Sequence, residues 1–440
     1  MLNCEYSSRI LPQFMKYEAI GKELFVRNRQ RFVATLKPGS IAIFHSNDEV
    51  PRNGDANFRF KQNSDLYYLS GVDQEDTVLV LFPDCPNPAQ REMLFIKETS
   101  ETIAVWDGAK LTPEQAHEAS GVEKVFWYQE FLQTIHPAIL MAEYVYLNLN
   151  ENDRFADKVP YNGLRFANQI KTKYPAHKIE RSAPILANLR MVKQPEEIEV
   201  IKQAIDITKA GFERLLKFIK PGVWEYEIEA ELIHEFTRRR GNGFAFDPII
   251  ASGSSACVLH YIENNKQVKD GDLILLDFGA EYGNYNGDLT RCVPANGKFS
   301  PRQKAVYNAV LHVQREAKKL MLPGKKMPEY HDQVCEIMTE QLLQLGLLTS
   351  QEVKDNKNAF RKYYMHGTSH HLGLDVHDVM HRWGEFQVGN VLTVEPGIYI
   401  AEEGIGVRIE NDVLIAEGGI VDFMEKYPIE VEEIEQAMAR

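Results

Sequence analysis

The sequence predicts a two-domain α+β protein: a smaller α/β domain over residues 1–182, then a larger domain over residues 190–440 built from two similar α-β halves. Three observations carry this reading. The 440 residues exceed what one hydrophobic core usually supports. The first part of the chain alternates helix-period stretches with short apolar runs. From Pro195 onward, one order of signals occurs twice.

In the first part, residues 17–34 and 112–120 read as helices. Residues 75–82 form a short apolar run ended by Pro83-Asp84, as a buried strand would be, and residues 93–96 form a second. Residues 180–188, with Pro184 inside them, read as a break between domains. Pro195-Glu196-Glu197 then opens an amphipathic helix, because proline is tolerated and acids are favoured in a first turn. Ile198, Ile201, Ile205, Thr208, Phe212 and Leu215 follow at helical spacing until Pro221-Gly222. A second helix spans residues 225–240, with Ile228, Leu232, Ile233 and Phe236 on one face and Gly241 as its stop. The pattern returns with helices over residues 301–322, stopped by Pro323-Gly324, and 328–345, stopped by Gly346.

Each helix pair is followed by a histidine, then by a glycine-led strand with a carboxylate six residues after the glycine. The first set is His260, Gly271 and Asp277; the second is His377, Gly389 and Glu395. A further carboxylate follows each, Asp288 and Glu410. These matched offsets indicate two halves related by a pseudo-two-fold, forming one antiparallel sheet with helices outside, since either half alone would leave its strands uncovered.

Composition excludes several classes. Fifty basic against 63 acidic residues give a net charge of −13, which provides no excess cation to displace counterions from nucleic acid or to seek an anionic membrane. No apolar run is long enough to span a bilayer, and the opening residues lack the apolar core of a secretory signal. Cys4, Cys85, Cys257, Cys292 and Cys335 are scattered without a CxxC pair, as free thiols in a reducing cytoplasm would be. A cytoplasmic protein with no nucleic-acid and no membrane partner is expected.

The carboxylates carry the chemistry. Asp277 ends a Leu/Ile run, where an ionised group must be paired or bound to metal. The turn-rich residues 283–287 and the apolar return over 289–294 predict that Asp277 and Asp288 face each other across a hairpin. Glu395 follows Val391-Leu-Thr-Val, and Val407-Arg408-Ile409-Glu410 alternates, so Arg408 and Glu410 share a face. Four acids converging in an apolar site could not all ionise; two divalent cations would neutralise them. Four histidines, His366, His370, His371 and His377, lie within twelve residues. One imidazole would complete a ligand set and others would donate to substrate or a developing oxyanion. His370 and His377 are read in these roles, His366 and His371 as capping or surface residues. His234-Glu235 lacks the second histidine of a zincin, residues 252–255 are not a nucleophile elbow, and residues 404–406 lack the third glycine of a dinucleotide loop.

Taken together, Leu276-Asp277-Phe-Gly-Ala through Gly287-Asp288-Leu-Thr-Arg291, His366-Gly-Thr-Ser-His370 through His377-Asp378, Thr393-Val-Glu395-Pro-Gly-Ile-Tyr399 and Gly406-Val-Arg-Ile-Glu410-Asn resemble the pita-bread metallopeptidases. Arg52-Asn-Gly-Asp55, residues 58–65 and Tyr67-Tyr-Leu-Ser-Gly71 are similar to the first domain of the aminopeptidase P (Xaa-Pro aminopeptidase) family. The resemblance covers nearly the whole chain. It implies a pita-bread catalytic domain behind a creatinase/prolidase-type N-terminal domain. It also implies a metal-dependent exopeptidase that cleaves between an N-terminal residue and a penultimate proline by a hydroxide bridging two metal ions. Asp277 and Asp288 would hold one ion; Asp288, His370, Glu395 and Glu410 would hold the other, with Asp288 and Glu410 bridging. Glu395 would be the general base, His260 and His377 would bind substrate and stabilise the tetrahedral intermediate, and Arg408 would pair with a ligand carboxylate. Mn²⁺ is the family's usual metal and suits oxygen-rich ligation.

Tyr399 would line a proline pocket. Trp106 would contact substrate, with its region and the Asp55 loop approaching a neighbouring subunit's site in a dimer or tetramer. Lys61 and Lys110 depart from the family, standing where arginine is expected. The rival readings are an Xaa-Pro dipeptidase (prolidase), which takes only dipeptides, and a non-catalytic pita-bread binding module. The module is disfavoured because all five ligand positions are filled, a filling that also separates the chain from creatinase-like hydrolases. A methionine aminopeptidase would leave the large N-terminal domain unexplained.

Overall fold

The structure, a computed structural model, describes residues 16–152, 154, 155, 158–381 and 383–439. It divides into two units, Met1–Arg190 and Met191–Arg440.

The first unit is built on a six-stranded mixed sheet in the order Lys124–Trp127, Glu92–Ile96, Val78–Leu81, Ser40–His45, Tyr144–Leu147, Lys178–Arg181. Ser40–His45 is antiparallel to Val78–Leu81 and parallel to Tyr144–Leu147. Ile41, Val80, Phe95 and Val145 on the sheet bury against Phe131, Ile135, Phe166 and Ile170 of the helices Phe131–Met141 and Asn162–Lys173. Helix Pro113–Ser120 starts where predicted, because Thr112 and Gln115 form a reciprocal capping box. The helix predicted from residue 17 starts later, at Lys22. The break predicted over residues 180–188 is instead the edge strand Lys178–Arg181 followed by helix Ala183–Met191. Pro184 falls in the first turn, where its missing N–H has no intrahelical partner to lose.

In the second unit the two helix pairs are Pro195–Phe218 with Glu225–Arg238, and Pro301–Leu320 with Met327–Gln344. The first pair approaches closely at Gly211, where a Cβ would stand 2.7 Å from Phe236 and 2.9 Å from Leu232. The helix at Pro301 opens with a capping box between Ser300 and Gln303.

Each helix pair feeds a hairpin. In the first, Leu273–Phe278 runs antiparallel to Leu289–Pro294, with Ile249–Ser252 on its other side. The short ribbon Glu281–Tyr282 with Tyr285–Asn286 continues the same register to the turn. There Gly283 and Asn284 have φ of +56° and +68°, a left-handed pair suited to glycine and asparagine. In the second hairpin, Val391–Val394 pairs with Asn411–Ala416, and Gly397–Ile400 pairs with Ile405–Arg408 in the same register. Gly419–Asp422 adds a third strand.

Among the described residues of this unit the strands thus form two three-stranded antiparallel sheets and two ribbons, not the single continuous sheet expected. The ladders break beside the carboxylates for a steric reason in one half and a hydrogen-bonding reason in the other. A Cβ at Gly279 would lie 1.7 Å from the Gly287 carbonyl oxygen, so the chains close together there without side chains. Pro396 has no N–H to give to a ladder. No helix among the described residues is long and apolar enough to cross a membrane.

Candidate active site

The two hairpins bring their acids to one place. Asp277 pairs across the first hairpin with Thr290, so it does not face Asp288 directly as predicted. Asp288 lies two residues before Thr290, on the same face and diagonal to Asp277, because strand side chains alternate. In the second hairpin the register carries through the break, placing Glu395 opposite Glu410. The segment carrying His370 lies against the Glu395 strand: Thr393 N donates to the His370 carbonyl at 2.9 Å and Glu395 N to the Thr368 carbonyl at 2.8 Å.

The result is a buried acidic cluster. One ligand atom each from Asp288, His370 and Glu410 lie within 4.8 Å of one another. His370 Nε2 is 3.7 Å from Asp288 Oδ2 and 3.6 Å from Glu395 Oε1. His370 Nδ1 meets the His371 carbonyl at 3.0 Å, which turns Nε2 toward the acids. Burial raises the Asp288 carboxyl well above its ordinary range, and Glu410, Asp277, Asp412 and Glu395 raise it further. Glu410 is raised in the same way, by burial and then by Glu395 and Asp277. Asp277 Oδ1 and Asp288 Oδ1 are buried without a hydrogen-bond partner. Crowded acids, orphaned oxygens and one imidazole together fit divalent metal ions, which accept oxygen and imidazole donors and repay the like-charge repulsion.

A second network backs the acids. Arg408, buried, donates through Nη2 to Asp277 Oδ2, through Nη1 to the Tyr399 hydroxyl at 2.8 Å and through Nε to Thr290 Oγ1 at 3.2 Å. Burial works against its charge, but Tyr399, Asp277, Glu410 and Glu395 outweigh burial and hold it protonated. Since arginine only donates, Tyr399 accepts from it and gives its own proton to His366 Nε2 at 2.8 Å. His366 Nδ1 then donates to the Gly367 carbonyl at 2.8 Å. Burial pushes the His366 imidazole down to about 3, with Arg408 adding to the shift, so the ring is neutral.

The predicted residues therefore separate. Asp277, Asp288, His370, Glu395, Glu410, Arg408 and Tyr399 come together. His377 is exposed, with its ring edge-on to that of His370 at 4.4 Å between centroids. His260 is exposed after a short 3-10 helix, near enough to act electrostatically on His366. Trp106 belongs to the first unit, on helix Glu101–Asp107, where it is 84% exposed. Two predicted roles change. His366 is not a capping or surface residue but a member of the Tyr399–Arg408 network, and His371 is buried, with an imidazole that burial pushes down to about 3.

Thr290 and Asp412 belong to the cluster and were not singled out from the sequence. Thr290 donates to Glu410 Oε2 at 2.6 Å, and Asp412 Oδ2 accepts from the Asp288 backbone N–H at 2.9 Å. The signal existed: each stands two residues from a predicted acid, on the same strand face.

The chain resembles known proteins throughout its length. The sequence model of metallopeptidase family M24 matches residues 199–417, and that of the aminopeptidase P N-terminal domain matches residues 25–146. The chain is 36% identical to the Xaa-Pro aminopeptidase of Escherichia coli K12 and 34% identical to that of Haemophilus influenzae, in each case over 95% of this chain and 98% of the relative. A solved structure of zinc-substituted E. coli aminopeptidase P in complex with product superposes with a TM-score of 0.87 at 34% identity, covering 96% of this chain and 99% of that one. The chain therefore belongs to metallopeptidase family M24, in its aminopeptidase P branch, and is a metal-dependent exopeptidase of that type.

Proposed function

We propose that this chain is an Xaa-Pro aminopeptidase whose metal centre is held by Asp277, Asp288, His370, Glu395 and Glu410. The observation that carries this is the convergence of Asp288, His370 and Glu410 beside the orphaned oxygens of Asp277 and Asp288. Two divalent ions, with Mn²⁺ compatible with the oxygen-rich donor set, would neutralise the acids and make a water acidic enough to ionise near neutral pH.

The protein's own groups do the rest. Glu395, at the open side of the cluster with its side chain 19% exposed, takes the proton of the attacking water and passes it to the departing prolyl nitrogen. His377 and His260, both exposed, donate to the scissile carbonyl oxygen as charge develops there. Arg408 holds Asp277 in place. A penultimate proline presents no N–H, so the pocket beside Tyr399 needs no acceptor for one. Trp106, at 84% exposure on the first unit, is the substrate contact offered to a neighbouring subunit in a dimer or tetramer.

In this reading residues 1–182 form the N-terminal domain and residues 190–440 the catalytic domain. The free thiols of Cys85, Cys257, Cys292 and Cys335 suit a reducing cytoplasm. The test is to compare an Xaa-Pro-Xaa tripeptide, its penultimate-alanine counterpart and an Xaa-Pro dipeptide. Fast cleavage of the first and slow cleavage of the second supports the reading. Cleavage of the dipeptide alone would make the enzyme a prolidase.

A further inference from the structure

We propose that Lys193 is a positioning residue for His377 and acts through Asp378; the inference rests on the reading of His377 as a substrate-binding donor. His377 is exposed on a stretch without regular secondary structure between residues 372 and 381. A transition-state donor must be held closely to be effective, and that includes the backbone that carries it. One restraint on that backbone comes from the neighbouring residue. Lys193 Nζ meets Asp378 Oδ2 at 2.7 Å, and each side chain is only 1% exposed. A charge pair this deep is uncommon and costs desolvation, so it marks a position where geometry matters.

Both ends of the pair are fixed. Lys193 N donates to the Gly389 carbonyl at 2.9 Å. Asp378 N donates to the His371 carbonyl at 2.9 Å, closing the loop that carries His377, while Asp378 Oδ1 accepts from Val379 N at 3.0 Å. The loop is also tied to the other half of the domain: Asn286, two residues before Asp288, donates to the Gly373 carbonyl through N at 3.0 Å and Nδ2 at 2.9 Å. Gly373 leaves the room the pair occupies, since a Cβ there would stand 2.3 Å from Asp378 Oδ2 and 3.0 Å from Lys193 Nζ. A lysine that opens the catalytic unit, far in sequence from the histidine loop, thereby sets the backbone from which His377 projects.

The test is a cycle in the full-length, metal-loaded protein, measured on an Xaa-Pro-Xaa peptide. Lys193→Met with Asp378→Leu removes both charges at once and strands neither. Gly373→Ala keeps both charges but pushes them apart, and serves alone if the first variant does not fold. Each should lower kcat by about 10- to 100-fold with KM and metal content nearly unchanged. Placed on His377→Ala, each should lower kcat by less than about twofold further, because the group being positioned is gone. An equal fall in both backgrounds, or no fall in the wild-type background, overturns the proposal while leaving the His377 reading intact. A His377→Ala variant with undiminished kcat overturns that reading and the proposal with it.

Discussion

Thr290 and Glu410 exchange two hydrogen bonds across the halves of the catalytic unit. The Glu410 backbone N–H donates to the Thr290 carbonyl at 3.1 Å, and the Thr290 hydroxyl donates back to Glu410 Oε2 at 2.6 Å. Arg291 reinforces the junction by donating to the carbonyls of Glu410 at 2.6 Å and Thr290 at 2.9 Å. The spacing between acids of different hairpins is therefore set by backbone as well as by side chains.

Thr290→Val should test that junction. Valine keeps the shape but leaves Glu410 Oε2 and Arg408 Nε without the hydroxyl between them. The loss should cost about 1–3 kcal/mol in stability and weaken metal binding about 10- to 100-fold, read by metal titration of the stripped protein. Unchanged affinity would mean that Thr290 does not orient Glu410.

Chelation should destabilise the protein. Removing divalent ions leaves Asp288 and Glu410 buried beside their neighbours, each raised above the normal carboxylate range by burial and mutual repulsion. Returning Mn²⁺ at about 100 times its dissociation constant should restore about 2.7 kcal/mol, seen as a rise in Tm. A melting curve indifferent to both treatments would contradict a metal centre at these residues.

Tyr399→Phe removes only the hydroxyl that joins Arg408 to His366. The metal acids keep their contacts, so metal content should hold while kcat falls about tenfold from loss of the aligned network. Loss of bound metal in this variant would instead make Tyr399 part of the ligand support.

Much of this was readable from the chain, and the misses have physical causes. Asp277 and Glu395 stood out because an acid at the end of an apolar strand needs a partner of opposite charge. Arg408 and Glu410 were placed on one face by alternation alone. Asp288 was placed in the right hairpin but opposite the wrong residue, since the register depends on a turn whose length composition does not specify. His366 and His371 were misread because burial of a histidine in a glycine-rich loop leaves no periodic trace. Residues 180–188 were misread as a break because Pro184 looks the same in a first helical turn as in a linker.

His45 gives the N-terminal unit a pH dependence. Its ring is buried against Phe131 and Phe166, with neither nitrogen hydrogen-bonded. Burial pushes it down to about 3, Arg165 lowers it further and Asp48 opposes. A base with a depressed folded pKa binds its proton first in the unfolded chain, so stability is full above the unfolded value near 6.5 and is lost as pH falls from there toward 3. Between pH 7.5 and pH 5 the loss through His45 should be about 2 kcal/mol. In denaturant titrations at those two pH values, His45→Leu should lack that portion; an identical loss in wild type and variant would clear His45.

The most direct test of the account is Asp288→Asn, with bound metal counted and hydrolysis of an Xaa-Pro-Xaa peptide measured on the same sample. Asp288 lies where both hairpins meet, within ligand reach of His370 and Glu410. The wild type should carry two divalent ions per chain. The variant should carry fewer and lose at least about 10³-fold in kcat, since a neutral amide replaces a charged carboxylate ligand. Full metal content with full activity in Asp288→Asn would contradict the proposed centre.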